Sequence, residues 1–166
     1  RPQTRLLLID HVTSATALIF PVKALIDLGK SAGIPVLVDG AHAPGMLDLH
    51  LDELDADFYT GNLHKWVCAP KGAAFLYVKQ GWEDKIHPTV ISHGYKLGFN
   101  TEFDWVGTSD PTPFLCIPAV LDFQERLNWE NTRAWNHQLV QQGRLLLAEA
   151  LSADLPHPDD PSLYGS

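Results

Sequence analysis

Two apolar runs separated by a segment of helical periodicity restrict the fold more than any other part of this sequence. Residues 36–38 are continuously apolar, which predicts a strand covered on both faces, and residues 6–9 form an earlier strand candidate. Between them, residues 21–32 repeat apolar side chains at helical spacing, begin with Pro21 and end before Gly33, a pattern typical of a helix. This order of elements predicts a βαβ unit with parallel strands and a right-handed crossover.

The segments after this unit predict a mixed sheet followed by helices. Residues 47–54 are predicted as a short helix with Asp48 as a candidate cap, and residues 58–60 as a third strand. Only a short connection leads to the apolar run 73–78, so that strand is predicted to be antiparallel to its neighbour. Three later elements are predicted: a short strand at 89–92 and helices at 112–127 and 130–151. The last helix has a stripe predicted to face inward, made of Leu139, Gly143, Leu146, Leu147 and Ala150.

Composition excludes several classes of partner. A chain of 166 residues with 45% hydrophobic content can bury one sizeable core. Its net charge of -8 argues against nucleic acid or an anionic membrane as a partner and favours a small molecule or another protein chain. No run approaches the ~20 apolar residues that a membrane span needs. Cys68 and Cys116 have neither metal-ligand spacing nor a disulfide framework, so a reducing compartment is predicted, most simply the cytoplasm.

A carboxylate and an amine, those of Asp39 and Lys65, follow neighbouring predicted strands. Asp39 ends the run 36–38, and Lys65 follows the third strand through a short polar loop. Open α/β sheets bind their ligands at such strand ends. A lysine amine can form a Schiff base with a carbonyl cofactor, and a buried aspartate can keep a pyridine nitrogen protonated. The pair therefore predicts the chemistry of pyridoxal 5'-phosphate (PLP).

Other polar side chains near these two supply candidate contacts to the same cofactor. Thr60, Asn62 and His64 lie where hydroxyl, amide and imidazole donors could hold a phosphate. His42 could hydrogen-bond the phenolic oxygen of the cofactor. Taken singly, each of these residues is an ordinary turn, packing or surface residue. The prediction depends on their occurring together.

The motifs that contain these residues resemble a known family. The sequence VDGAH at 38–42, followed by HKW at 64–66, resembles the class V aminotransferase group of fold type I PLP enzymes. Segments 56–66 and 104–110 resemble its isopenicillin N epimerase-like and cysteine desulfhydrase-like branch, and the likeness extends from about residue 8 to residue 123. The resemblance implies a three-layer α/β fold: a mostly parallel sheet with one antiparallel strand and helices on both faces.

The resemblance also implies a role for each matching residue. Lys65 would form the Schiff base, Asp39 would pair with the pyridine nitrogen and His42 would contact the phenolic oxygen. Asn62 and His64 would bind the phosphate. Two further residues match family positions. Ser14 falls near the position where relatives have an asparagine beside the cofactor ring. Thr108 matches a residue that would reach the phosphate of the partner subunit's cofactor. The second match implies a homodimer with shared sites.

The resemblance implies a domain organisation in which this chain is part of a longer protein. Residues 1–153 would be the C-terminal part of the PLP-binding large domain with its following helices. Residues 154–166, which contain three prolines before Ser162, would be a linker toward a small C-terminal domain. The remaining phosphate loop and ring-stacking residue are expected before Arg1, and the substrate-binding arginine after Ser166.

The expected function is chemistry at Cα or Cβ of an amino acid, by a cysteine desulfhydrase- or desulfurase-like lyase or an isopenicillin N epimerase-like enzyme. The alternatives are an aminotransferase of the same family and a PLP-fold remnant or interaction protein without turnover. Cys68 and Cys116 fit packing positions better than a nucleophile. Another class is a zinc hydrolase without PLP, which would use His11, Asp39, His42 and His64, although the sequence has no His-x-x-x-His pair.

Overall fold

A mixed four-stranded sheet forms the centre of the computed structural model, which describes residues 1–105, 107–155 and 157–166. Its strands, adjacent in chain order, are β1 (Leu7–Asp10), β2 (Val36–Asp39), β3 (Phe58–Asn62) and β4 (Ala74–Val78). β1, β2 and β3 run parallel, and β4 is antiparallel to β3. The predicted class, a mostly parallel α/β sheet with one antiparallel strand, is confirmed.

Two helices connect the parallel strands, and the other helices follow the sheet along the chain. They are α1 (Val22–Ser31), α2 (Leu51–Leu54), α3 (Phe99–Asp104), α4 (Thr112–Leu115), α5 (Ile117–Arg126) and α6 (Trp129–Leu151), with a 3-10 turn at Pro161–Leu163. None of the helices that the structure describes is both long and apolar enough to cross a membrane.

The apolar stripe of α1 covers one face of the sheet. Val22 and Ile26 of this helix belong to the same core as Val36 and Val38 of β2. Gly29 allows a close approach, because a Cβ at this position would lie 2.4 Å from Cγ2 of Val36. The predicted strand–helix–strand unit is therefore confirmed, with the helix boundaries within one residue of those read from periodicity.

The two faces of the sheet are buried to different extents. Val38 and Tyr59 lie on the face toward α1, and each is 0% exposed. On the opposite face, Leu8 of β1 is 62% exposed and Leu76 of β4 is 42% exposed. Because strand residues alternate between faces, Asp39 lies on this less covered face. The first candidate site residue is thus on the open side of the sheet.

The helix predicted at 47–54 is shorter in the structure. α2 begins at Leu51, and a bridge between Pro44 and Leu47 keeps the preceding segment out of the helix. Asp48 is not the cap, because His50 holds that position and Oδ1 of Asp48 accepts a hydrogen bond from Nη2 of Arg133 at 3.1 Å. The prediction for Asp48 was wrong because its partner comes from a distant helix.

Two later elements also differ from prediction. Residues 89–92 do not form a strand: residues 89 and 90 lie in a bend and residues 91 and 92 are irregular. Val90 and Ile91 are 62% and 68% exposed, since no strand of the described sheet lies beside them. The helix predicted at 112–127 is divided into α4 and α5 at Cys116. Pro118 explains the division, because it has no N–H to donate to the carbonyl of Phe114.

The inner face of α6 is not the predicted apolar stripe. Leu139, Leu146 and Leu147 are 56%, 66% and 61% exposed. The residues that bind the rest of the chain are polar or aromatic: Nε1 of Trp129 donates to the carbonyl of Gly45 at 2.8 Å, and Arg133, His137 and Arg144 contact Asp48 or Tyr164. The stripe prediction was wrong because hydrogen bonds and ring contacts, rather than aliphatic packing, orient this helix.

The end of the chain returns to the domain. The N–H of Ile19 donates to the carbonyl of Leu163 at 2.9 Å, and the N–H of Gly165 donates to the carbonyl of Ala17 at 2.8 Å. Tyr164 is 3% exposed, with the guanidinium of Arg144 over its ring. The far end of the predicted linker 154–166 therefore contacts the domain, and a boundary after residue 153 stays a prediction.

Replacing Ile26 by alanine is expected to lower the free energy of unfolding by about 2–5 kcal/mol, because it leaves a cavity between α1 and the sheet. Ile26 is 0% exposed, whereas Leu28 of the same helix is 62% exposed. Leu28→Ala is the matched control and is expected to change the value by no more than about 0.5 kcal/mol. Urea denaturation measures both. Equal losses in the two variants would contradict the packing of α1.

Candidate active site

The carboxyl ends of the three parallel strands meet at one edge of the sheet. Asp10 and Asp39 are Cα partners between β1 and β2, and Asp39 and Thr60 are partners between β2 and β3. Their side chains project from the same face, because residues in register on adjacent strands point the same way. Asp39 and the loop that contains Lys65 therefore leave adjacent strands, as predicted.

A polar contact beyond these strand ends joins Lys65 to His42. Nζ of Lys65 lies 3.0 Å from Nε2 of His42, and both side chains are half-buried. Burial lowers the pKa of His42, and the charge of Lys65 lowers it further, while the carboxylates of Asp39 and Asp10 act in the opposite direction. A neutral imidazole can accept a hydrogen bond from the lysine ammonium at Nε2, so the contact orients the amine of Lys65.

The two loops that bear this pair are packed against each other. A Cβ on Gly45, whose φ is +82°, would lie 2.6 Å from the backbone carbonyl of Trp66, so only glycine fits there. Nε2 of Gln124 in α5 donates to the carbonyl of Val67 at 3.2 Å, and Trp129 of α6 donates to Gly45. Helix α5 thus binds the loop that contains Lys65, and helix α6 binds the loop that contains His42.

The carboxylate of Asp39 shapes the turn that leads to His42. Its Oδ1 accepts a hydrogen bond from the N–H of Ala41 at 2.9 Å. Both neighbouring strands bind the main chain here. The N–H of His11, after β1, donates to the carbonyl of Asp39 at 2.9 Å, and the N–H of Gly40 donates to the carbonyl of Thr60 in β3 at 2.8 Å. One oxygen of a half-buried carboxylate is thereby fixed in position.

The three residues predicted near a phosphate differ in their surroundings. Oγ1 of Thr60 donates to the carbonyl of Phe75 at 3.2 Å, so this hydroxyl ties β3 to β4. Asn62 ends β3, opposite Ala74, and its side chain is half-buried. His64 is half-buried beside Lys65. Asn62 and His64 thus lie in the same short segment as the lysine.

Two predicted residues lie away from this group. Ser14 is exposed in the turn after β1. Thr108 is exposed on the wall of a cleft of about 770 Å³ between β4 and the segment from α3 to α4, where Leu76 and Trp105 also contribute. Asp39, His42 and Lys65 are not among the described residues that line this cleft. The hydrogen bond that the described residues give to Nζ of Lys65 comes from His42, and neither Ser14 nor Thr108 takes part in it.

Sequence reasoning missed a buried polar pair behind the Asp39 turn. Nδ1 of His11 lies 2.8 Å from the hydroxyl of Tyr59, and the two side chains are buried. Burial lowers the pKa of His11 to about 4. Burial, and secondly the charge of Asp39, raise the pKa of Tyr59. The available signal was Gly40 beside a strand that contains a large aromatic residue, because close packing requires a glycine there.

The free energy of unfolding is expected to decrease as the pH is lowered through the range where His11 titrates. Its pKa is about 4 in the folded chain, against an ordinary value of 6.5, so between these values the unfolded chain binds the extra proton and folding is penalised. The complete penalty is about 3 kcal/mol, present below pH 4 and absent above pH 6.5. Urea denaturation should give a shallower pH dependence for His11→Asn than for the wild type. Identical slopes would contradict the burial of a neutral His11.

Two of the three histidines named as zinc ligands have other partners. His11 binds Tyr59 and His42 contacts Lys65. Within residues 1–105, 107–155 and 157–166, no group of three or more His, Cys, Asp or Glu side chains is arranged to hold a metal ion.

Sequence similarity to known proteins extends over most of the chain. It is 37% identical over 180 residues to the isopenicillin N epimerase of Streptomyces clavuligerus, a match that covers 99% of this chain and 45% of that protein. It is 39% identical over 152 residues to a probable chloroplastic L-cysteine desulfhydrase of Arabidopsis thaliana, covering 87% of this chain and 32% of that one. The chain therefore spans a third to somewhat under half the length of these relatives.

A solved structure shows the same fold. The apo cysteine desulfurase of Thermococcus onnurineus NA1 superposes with a TM-score of 0.83 at 23% identity, over 97% of this chain and 42% of that chain. The model of the family "Aminotransferase class-V" matches residues 1–162. The resemblance inferred from the motifs around Asp39 and Lys65 is confirmed. The chain belongs to the class V aminotransferase family, whose members are PLP-dependent enzymes.

Proposed function

We propose that this chain binds PLP and that Lys65 is its covalent attachment point. The observation that supports this most strongly is the 3.0 Å contact between Nζ of Lys65 and Nε2 of His42, beside the fixed carboxylate of Asp39. An amine, an imidazole with a lowered pKa and an oriented carboxylate at one sheet edge are an uncommon combination in a surface loop.

The chemical types of the donors fit the cofactor. A primary amine can bond to its aldehyde, a carboxylate can pair with its protonated pyridine nitrogen, and amide and imidazole groups can donate to its phosphate. Lys65, Asp39, Asn62 and His64 supply these groups from adjacent strand ends. When bound, PLP would act as an electron sink for negative charge on the α-carbon of an amino acid.

Lys65 would move protons in this site, and His42 would orient its amine. Nε2 of His42 is placed to accept a hydrogen bond from Nζ of Lys65, which would direct the amine toward the cofactor aldehyde. Once released, the Lys65 amine would move the α-proton of the substrate as general base and acid. Burial and the charge of Lys65 lower the pKa of His42, which favours the neutral imidazole, the form that can accept a hydrogen bond from the amine. His42 is also proposed to donate to the phenolic oxygen.

Asp39 would provide the charge that holds the ring. Its Oδ1 is fixed by the N–H of Ala41, which leaves Oδ2 as the candidate partner of the pyridine nitrogen. Ser14 is proposed to lie near the ring, and Thr108 of a second copy to reach the phosphate. The exposure of Thr108 and its separation from Lys65 within one chain favour such a homodimer with shared sites.

The proposed substrate is an amino acid. The names of the relatives favour lyase chemistry on a cysteine-like substrate or epimerisation. Transamination, and a PLP-binding remnant without turnover, are the alternatives. A cytoplasmic location stays a prediction from composition.

Titration of the purified chain with PLP tests the proposal. Binding should produce a visible absorbance that borohydride removes, with about one cofactor retained per site after reduction. Assays of the loaded protein for sulfide release from L-cysteine, for epimerisation and for amino transfer then separate the reaction types. A loaded protein inactive in all of them would favour the remnant. Absence of any reducible cofactor at saturating PLP would overturn the function.

A further inference from the structure

The buried His11–Tyr59 pair lies directly behind the backbone that presents Asp39. Tyr59 is 0% exposed, and its ring is parallel to that of Phe75 with centroids 6.2 Å apart. A Cβ on Gly40 would lie 2.3 Å from the Tyr59 hydroxyl and 2.1 Å from Cε1 of its ring. The phenol end of Tyr59 is therefore pressed against the residue that follows Asp39.

His11 connects this phenol to the same stretch of backbone from the other side. Its ring binds the Tyr59 hydroxyl through Nδ1, and its own N–H donates to the carbonyl of Asp39 at 2.9 Å. The carbonyl of His11 accepts from the N–H of Phe20 at 2.9 Å, which anchors the residue at its far side. The side chain and main chain of one residue thus fix the phenol and the Asp39 backbone together.

We propose that His11 and Tyr59 are positioning residues that hold the Asp39–Ala41 turn in the conformation that presents the carboxylate. In this role neither side chain needs to contact the cofactor, because both act through Gly40 and the carbonyl of Asp39. The sensitivity of the Tyr59 pKa to the charge of Asp39 agrees with this proximity. The consequence for PLP binding rests on the proposed function, whereas the effect on the turn does not.

Amide hydrogen exchange of the chain without cofactor tests the pair directly. The N–H of Ala41 reports on the turn, because it donates to Oδ1 of Asp39, and the N–H of Val38 within β2 reports on the sheet. Tyr59→Phe removes only the hydroxyl and is expected to speed exchange at Ala41 about tenfold relative to Val38. A general loss of stability would speed both amides equally and would overturn the proposal.

Two substitutions of His11 separate the effect of its hydrogen bond from the effect of its side-chain volume. His11→Asn keeps a polar atom at the place of Nδ1 and is expected to retain slow exchange at Ala41. His11→Leu removes that atom and should behave like Tyr59→Phe. The matched control is Tyr77→Phe, since Tyr77 is the partner of Tyr59 on β4, whereas the three atoms nearest to a Cβ on Gly40 all belong to Tyr59. Equal effects of the Asn and Leu variants would contradict the hydrogen bond as the cause.

PLP affinity supplies the second measurement. Tyr59→Phe should weaken binding about five- to tenfold in the wild type and have little effect in an Asp39→Asn background, because the pair acts through Asp39. Additive effects would refute a role in positioning the carboxylate. If the wild-type chain binds no PLP, the proposed function fails, but the exchange ratio of Ala41 to Val38 still decides whether the pair holds the turn.

Discussion

Lys65→Ala is expected to abolish borohydride-reducible attachment of PLP and to lower turnover of the loaded protein on the order of 10³-fold or more, because no other group replaces a nucleophilic amine that also moves the substrate proton. Noncovalent PLP should still bind, since Asp39, Asn62 and His64 remain. The measurement is the absorbance of the protein after borohydride reduction and removal of free cofactor.

Lys71→Ala is the matched control for this variant. Lys71 lies six positions further along the same loop region and is exposed, whereas Lys65 is half-buried in contact with His42. The control should retain the full reducible adduct and the wild-type turnover. A Lys65→Ala protein that kept the reducible adduct would contradict the assignment, and so would a Lys71→Ala protein that lost it.

Asp39→Asn is expected to weaken PLP binding about 10- to 100-fold, the equivalent of one charge-assisted hydrogen bond to the pyridine nitrogen. The amide oxygen can still accept from the N–H of Ala41, so the turn and the free energy of unfolding should change little. Loss of affinity without loss of stability would separate the charge of Asp39 from its structural bond.

An exposed aspartate provides the comparison for Asp39→Asn. Asp52 lies in α2 on the surface, and Asp52→Asn changes the net charge by the same amount. It should leave PLP affinity unaltered. Equal losses in both variants would show that overall charge, rather than the position of Asp39, determines binding. Unchanged affinity in Asp39→Asn would remove the proposed role of its carboxylate.

The parts of the fold that the sequence predicted correctly depend on local patterns. The run 36–38 and the helix that precedes it have the periodicity of their elements, and the short connection to β4 required an antiparallel strand. The order of polar residues after these strands was enough to bring Asp39 and Lys65 to adjacent strand ends. Both inferences use only neighbours in the chain.

The parts that were missed depend on distant partners. α6 is oriented by Trp129 and Arg133, whose partners at Gly45 and Asp48 lie more than eighty positions earlier. The His11–Tyr59 bond joins residues 48 positions apart, and a tyrosine in a strand has no local mark that identifies its hydrogen-bond partner. Exposed apolar residues such as Leu146 satisfy helical periodicity without indicating which side packs.

Peptide mapping of the borohydride-reduced protein tests the central assignment most directly. After incubation with PLP, reduction and proteolysis, mass spectrometry locates the lysine that has gained the pyridoxyl group. We predict that the group is on Lys65 at close to one per chain, with the other lysines unmodified. Modification centred on any other lysine, or spread evenly among the exposed ones, would contradict Lys65 as the attachment point.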